Sequence, residues 1–248
     1  MTNSPCKFCF SKEKLIFELD TTNCERDIGI RNIEQCKKCK HSIDLTTLDT
    51  EQYQGQGGAN SYILNNKDDI LYAIKMRTFW LSSLLQEANI NDDDIKTLTY
   101  LDFGCGNGIN IHSGLRLFKS AYGSDFDIKY FLHINKCLEV PELNNLIYGD
   151  VSDIQEQFDI ISAFHVLEHF SNEDEFFIII KKLLKKNGIL ICEVPTLTSD
   201  GYAPNHYNYF TVESLISVLK KYNFSIINYT VSNRNFINIK AKLIENIS

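Results

Sequence analysis

The chain has 248 residues, enough for one α/β domain of ordinary size with a small appendage and too few for two full domains. Its composition, 44% hydrophobic and 23% charged with only 4 Pro, is that of a chain that buries a core, which excludes disordered and fibrous classes. With 25 basic against 32 acidic residues the formal charge is -7, and no Lys/Arg stretch is dense enough to follow a phosphate backbone; nucleic acid is thereby a poor partner and a small or nucleotide-linked molecule a better one.

Near the N-terminus, Cys6-x-x-Cys9 and Cys36-x-x-Cys39 form two close cysteine pairs. No apolar run approaches the length of a membrane span and residues 1–10 lack a signal-peptide apolar core, so a cytoplasmic location is expected. In a reducing compartment paired cysteines read as metal ligands before disulfides, and two Cys-x-x-Cys turns close a four-sulfur zinc site. Four protein ligands leave no open position, so the expected role is structural: the ion holds a segment too small to bury its own core. Cys24 and His41 are read as bystanders, and Cys105, Cys137 and Cys192 as buried small apolar residues.

Residues 53–60, rich in Gly and Gln, predict a flexible connecting loop. Apolar residues recur at helical spacing over 68–87, with Phe79 and Trp80 assigned to the core. Short β-rich runs then alternate with helical stretches. Strands are expected over 97–103, 121–124, 145–148, 158–164, 188–194, 225–230 and 236–243, and helices over 109–119, 128–137, 173–186 and 212–222, the last with Thr211 as N-cap. Such alternation predicts a mainly parallel sheet covered by helices on both faces. The final two strands follow one another through Ser232-Asn233-Arg234-Asn235, which reads as an antiparallel hairpin.

The segment from Tyr100 to Gly108 (Tyr-Leu-Asp-Phe-Gly-Cys-Gly-Asn-Gly) runs from an apolar strand through a Gly-rich turn into a helix. Glycines there let the backbone turn sharply and let a ligand approach without a Cβ in the way, while the helix start presents free N–H groups. Asp125, followed by Phe126, closes the next strand where a carboxylate can accept ribose hydroxyls. Asp150-Val151 follows the third strand, and the fourth ends in Phe164-His165-Val166-Leu167-Glu168-His169.

Together these segments resemble the class I S-adenosylmethionine-dependent methyltransferases. The resemblance covers about 97–243 and implies a Rossmann-like seven-stranded sheet with a terminal antiparallel hairpin. It implies that Gly104, Cys105, Gly106, Asn107 and Gly108 wrap the amino-acid part of S-adenosylmethionine, that Asp125 holds the ribose, and that Asp150 with Val151 brackets the adenine; Asp102, Phe126, Phe164 and His165 are further candidates for the cofactor site, His165 at the end of the fourth strand, where the methyl group should point. The Gly-Cys-Gly-Asn-Gly spacing and the closing hairpin argue against a nicotinamide dinucleotide site. An N-terminal four-Cys segment ahead of such a domain is similar to bacterial methyltransferases that act on nucleotide-linked sugars and related small metabolites.

Methyl transfer to a hydroxyl or a carbon acid needs a base. The candidates are His206, in an aromatic loop after the fifth strand, then His165 and His169; Tyr53, Tyr62, Tyr207 and Tyr209 are candidates for lining the acceptor site. The expected organisation is a zinc module over 1–50, a linker and lid over 51–96 and the methyltransferase domain over 97–248, with O- or C-methylation of a small, sugar-like or nucleotide-linked acceptor. An RNA or protein methyltransferase, or a non-catalytic module that retains the cofactor site, are the alternatives.

Overall fold

The computed structural model describes residues 4–20, 30–46, 64–197 and 206–244. Cys24, Tyr53, Tyr62, the loop at 53–60 and residues 202–205 lie outside the described residues. The strands are β1 (Lys14–Asp20), β2 (Ile30–Cys36), β3 (Ser42–Asp44), β4 (Thr99–Phe103), β5 (Ser120–Ser124), β6 (Ile147–Tyr148), β7 (Phe158–Phe164), β8 (Leu184–Pro195), β9 (Asn208–Tyr209), β10 (Phe224–Val231) and β11 (Phe236–Leu243). The helices are α1 (Lys67–Glu87), α2 (Asp92–Ile95), α3 (Ile109–Leu117), α4 (Lys129–Leu138), α5 (Glu173–Leu183) and α6 (Val212–Lys221).

Seven strands form one sheet in the order β10-β11-β8-β7-β4-β5-β6. The pairs β4–β5, β4–β7, β5–β6 and β7–β8 are parallel, whereas β11 runs antiparallel to both β8 and β10. This is the Rossmann-like sheet with a terminal hairpin expected from the sequence. The chain steps outward from β4 to one side through β5 and β6, then returns to its other side at β7. The crevice between the loops after β4 and β7 is therefore a topological switch point, the place where open α/β sheets bind ligands.

Local rules account for most element ends. Asn66 caps α1 by accepting from the N–H groups of Asp68 and Asp69. Thr211 caps α6 in a reciprocal box with Ser214. The α5 helix stops at Leu183, short of the expected 186, because Leu184 already pairs with Phe158 and the chain has entered β8. A 3-10 turn over Pro141–Leu146 shortens β6 to two residues, and α2, capped by Asn91, was not anticipated.

The assignment of Phe79 to the core is corrected: it is 73% exposed. The buried stripe of α1 runs through Ile70, Ile74, Leu81, Leu84 and Leu85, and at about 100° per residue Phe79 points away from it. Trp80 is half-buried beside Phe164, with Arg77 over its ring. Cys105 and Cys192 are buried as expected, and Cys137 only half-buried.

A second, antiparallel sheet has the order β1-β2-β3-β9. Its fourth strand comes from the loop after β8, so the N-terminal segment and that loop share one hydrogen-bond ladder. Cys6, Phe8, Cys36 and Cys39 belong to the same hydrophobic cluster as Phe210, Leu215 and the centre of the large sheet. No helix among the described residues is long and apolar enough to cross a membrane.

Candidate active site

The turn after β4 is built from left-handed glycines: Gly104, Gly106 and Gly108 have φ of 73°, 53° and 76°. A Cβ at Gly104 would stand 2.5 Å from Val166 Cγ2, and one at Gly108 would stand 2.1 Å from Phe131 Cδ2. Both positions thus disfavour a side chain, on conformational grounds and because Val166 or the Phe131 ring would have to move. Gly108 is also the N-cap of α3, whose first N–H groups open toward the turn.

Beneath the turn, Asp102 is buried and accepts from Ser162 Oγ at 2.6 Å and from Asn110 Nδ2 at 3.0 Å. Burial raises its pKa to about 6 against these hydrogen bonds. The side chain braces the turn from below. Cys105 is buried between Ile111, Phe131 and Ile147. Asn107 accepts from the Ile109 N–H, shaping the entry to α3.

At the tip of β5, Asp125 accepts from the Gly106 N–H at 2.7 Å and from the Asp127 N–H at 2.9 Å, one on each carboxylate oxygen. Burial raises its pKa despite both bonds. Phe126 beside it is 97% exposed, an aromatic face with no packing partner in the core. Asp150 is exposed and caps a 3-10 turn through the Ser152 N–H, which lowers its pKa, and Val151 packs against the main core.

After β7 the chain makes a left-handed step at His165, with φ 58°, and enters a 3-10 turn over Leu167–His169. His165 Nδ1 lies 3.3 Å from Glu168 Oε1 and Nε2 lies 3.3 Å from Glu193 Oε1. Burial opposes charge on this imidazole, but the two carboxylates outweigh it and raise its pKa to about 9. Glu168 is fully buried; burial alone would raise its pKa, but the His165 contact and the neighbouring imidazoles of His206 and His169 outweigh it and lower the value. Neither of its carboxylate oxygens takes a hydrogen bond. The His169 and His206 rings meet edge to face at 4.8 Å, and His206 Nε2 is 3.9 Å from Glu168 Oε1. The Tyr207 N–H donates to the Glu168 carbonyl, fastening the loop that bears His206 to the turn that bears Glu168. Tyr209, 5.8 Å from the His206 ring, lines a cleft of about 240 Å³ between the N-terminal sheet and the β8–β11 end of the large sheet.

The three imidazoles singled out in the sequence thus converge. Glu168 and Glu193 were not among the candidate residues; the i, i+3 separation of His165 and Glu168 is the one local signal that could have found the first. Phe164 sits one residue before this cluster, against Trp80.

The thiols of Cys6, Cys9, Cys36 and Cys39 lie within 4.8 Å of one another, with Cys6–Cys39 at 3.6 Å and Cys9–Cys36 at 3.4 Å. Four sulfurs on a tetrahedral ion at ~2.3 Å are about 3.8 Å apart, so the cluster fits a metal site. His41 is buried above it, packed on Phe8 and Phe210 and 3.2 Å from Asn208 Oδ1. Lys7 reaches across to Glu173 at the start of α5, at 2.5 Å.

A Rossmann-like sheet that closes with an antiparallel hairpin, with a glycine turn after its first strand and a carboxylate at the tip of the second, is the arrangement of the S-adenosylmethionine-dependent methyltransferases. The family described as "Methyltransferase domain" matches residues 72–229, well over half of the chain, and the protein belongs to that family. Among curated proteins it is 30% identical over 111 residues to a ubiquinone biosynthesis O-methyltransferase of Glaesserella parasuis, covering 41% of this chain and 47% of the relative. It is 29% identical over 123 residues to the enzyme of the same description from Pelagibacter ubique, covering 45% and 48%. The chain spans about half the length of the curated relatives it matches. Among solved structures it is similar in fold to a 1,6-didemethyltoxoflavin-N1-methyltransferase of Burkholderia thailandensis, with TM-score 0.54 and 16% identity over 87% of this chain and 96% of the other. A methyltransferase from Clostridium acetobutylicum gives TM-score 0.54 and 15% identity over 69% and 92%.

Proposed function

We propose that the protein transfers a methyl group from S-adenosylmethionine to an oxygen or carbon of a small, sugar-like or nucleotide-linked acceptor, in surface polysaccharide or secondary-metabolite synthesis in the cytoplasm. The observation that carries this reading is the packing of Gly104 on Val166: the glycine turn and the His–Glu cluster stand side by side at one edge of the sheet. S-adenosylmethionine supplies an electrophilic methyl group on a sulfonium. The backbone from Gly104 to Gly108 wraps its amino-acid end, with Asp102 holding the turn in shape. Asp125 keeps lone pairs beyond the two backbone bonds it accepts, and these take the ribose hydroxyls. Phe126 offers an aromatic face, with Asp150 and Val151 flanking the adenine.

We assign His206 to receive the proton of the acceptor, with His165 and His169 beside it. The O-methyltransferase description of the two curated relatives supports oxygen as the methylated atom. The four cysteines hold a structural Zn2+, and the N-terminal segment over 1–50 closes the acceptor side, with 51–96 leading into the methyltransferase domain over 97–248. Tyr207 and Tyr209 then line the acceptor.

The test is a titration followed by a turnover assay. The protein should bind S-adenosylmethionine and S-adenosylhomocysteine, and a panel of nucleotide sugars should contain one that drives S-adenosylhomocysteine release. His206→Asn should lower that turnover strongly with cofactor affinity nearly intact; unchanged turnover would remove the assignment of His206, and no cofactor binding would remove the activity.

A further inference from the structure

We infer that Glu168, His169 and His206 form a second metal site, one that binds a divalent first-row transition ion through nitrogen and oxygen. One donor atom from each residue lies within 4.8 Å of the other two. Two imidazoles and one carboxylate are the donor set of three-ligand zinc sites and of the facial triads that hold Fe2+, and both leave positions open for a further ligand. It differs in kind from the four-thiol site.

The observation that sets this cluster apart from an ordinary carboxylate–imidazole pair is the state of Glu168. It is fully buried, and both of its oxygens lack a hydrogen bond. A buried carboxylate that accepts no hydrogen bond is costly even with imidazoles beside it, and a simple acid–base pair would answer that cost with a hydrogen bond of about 2.8 Å from one of them. Instead His206 Nε2 stands off at 3.9 Å, and His165, although at 3.3 Å, is not aligned to donate. The gap is of a size that an ion fills. Ligand atoms ~2.1 Å from one ion are roughly 3 to 3.5 Å apart, so binding draws the three side chains together by roughly an ångström. The turn over Leu167–His169 supplies Glu168 and His169, and the loop fastened to it by the Tyr207–Glu168 backbone bond supplies His206. Two chain segments thus present the donors already tethered.

This rests on the reading that the acceptor's nucleophilic group comes to His206, and it changes how His206 serves that group. As a ligand it helps hold an ion whose open position takes the acceptor's hydroxyl. A hydroxyl held there would be made more acidic, as water is on such an ion, and would release its proton to solvent. Its oxygen then forms the bond to the methyl carbon, the carbon–sulfur bond breaks with its electron pair going to sulfur, and the methyl ether and S-adenosylhomocysteine result. The acceptor class is narrowed to molecules with a free hydroxyl, best one with a second oxygen beside it to chelate.

The test counts ions. Protein equilibrated with Zn2+ and passed free of loosely held metal should lose one ion per chain on His169→Ala and on Glu168→Gln relative to the unmodified chain. The variant Cys9→Ser should lose an ion independently. With Co2+ in place of Zn2+, the ion lost on His169→Ala should lack the thiolate charge-transfer bands of the four-Cys site. Cofactor titration and circular dichroism verify that each variant is folded; if Glu168→Gln unfolds, the more exposed His169→Ala decides. Equal metal content in His169→Ala and the unmodified chain overturns the second site. A chain that binds cofactor and transfers methyl groups but keeps that equality sinks the metal site alone; one that shows the loss but binds no cofactor sinks the methyltransferase reading alone.

Discussion

The Thr211 hydroxyl donates to the backbone carbonyl of Cys39 across 2.8 Å. The same oxygen caps α6 by accepting from the Ser214 N–H, so one side chain ties the second cysteine turn to the helix that follows the His206 loop. Thr211→Val keeps the shape and removes both bonds. It should destabilise the protein by about 1 to 2 kcal/mol, the usual cost of a lost cap, with Thr211→Ser close to neutral. Denaturant midpoints with an unchanged slope measure this, and an equal loss in both variants would show that the hydroxyl has no part in it.

Gly108 joins a left-handed backbone, φ 76°, to a steric wall, the buried Phe131 ring. Gly108→Ala should cost about 1 kcal/mol for the conformation and about 1 to 3 kcal/mol more for displacing the ring. Phe131→Leu in the Gly108→Ala background should recover part of the second cost and none of the first. Thermal unfolding of the four proteins gives the cycle, and strict additivity of the two changes would deny the contact.

Asp102 makes stability depend on pH. Its folded pKa, raised to about 6, lies above the ordinary carboxylate value, so its neutral form is favoured by folding. The contribution is fully present below about pH 4 and is lost as the pH rises through about 6, a change of about 3 kcal/mol for two pKa units. Asp102→Asn should therefore gain stability relative to the unmodified protein across that window and hold a constant difference above it. A difference that does not vary between pH 4 and 6.5 would contradict the assignment.

What could be read from the sequence was what depends on neighbours along the chain. The glycine turn, the Thr211 cap and the closing hairpin announce themselves within a few residues, because turn geometry and capping are local. The pairing of β9 with β3 gave no such sign: two residues are too short for a strand period, and their partner lies in the N-terminal segment. Phe79 was misassigned because adjacent positions on a helix face different ways, and only the packing of α1 fixes which way is inward. Glu168 was visible beside His169, yet its weight comes from burial without a hydrogen bond, which no spacing encodes.

The ladder between β3 and β9 has a practical consequence for anyone recombining this enzyme with its kin. A front segment exchanged by itself would arrive without its outermost partner, and the histidine-bearing loop left behind would lose the edge it hangs from. Transplants that carry residues 42–44 and 206–211 as one unit preserve that seam; cuts made at a conventional boundary near residue 50 sever it.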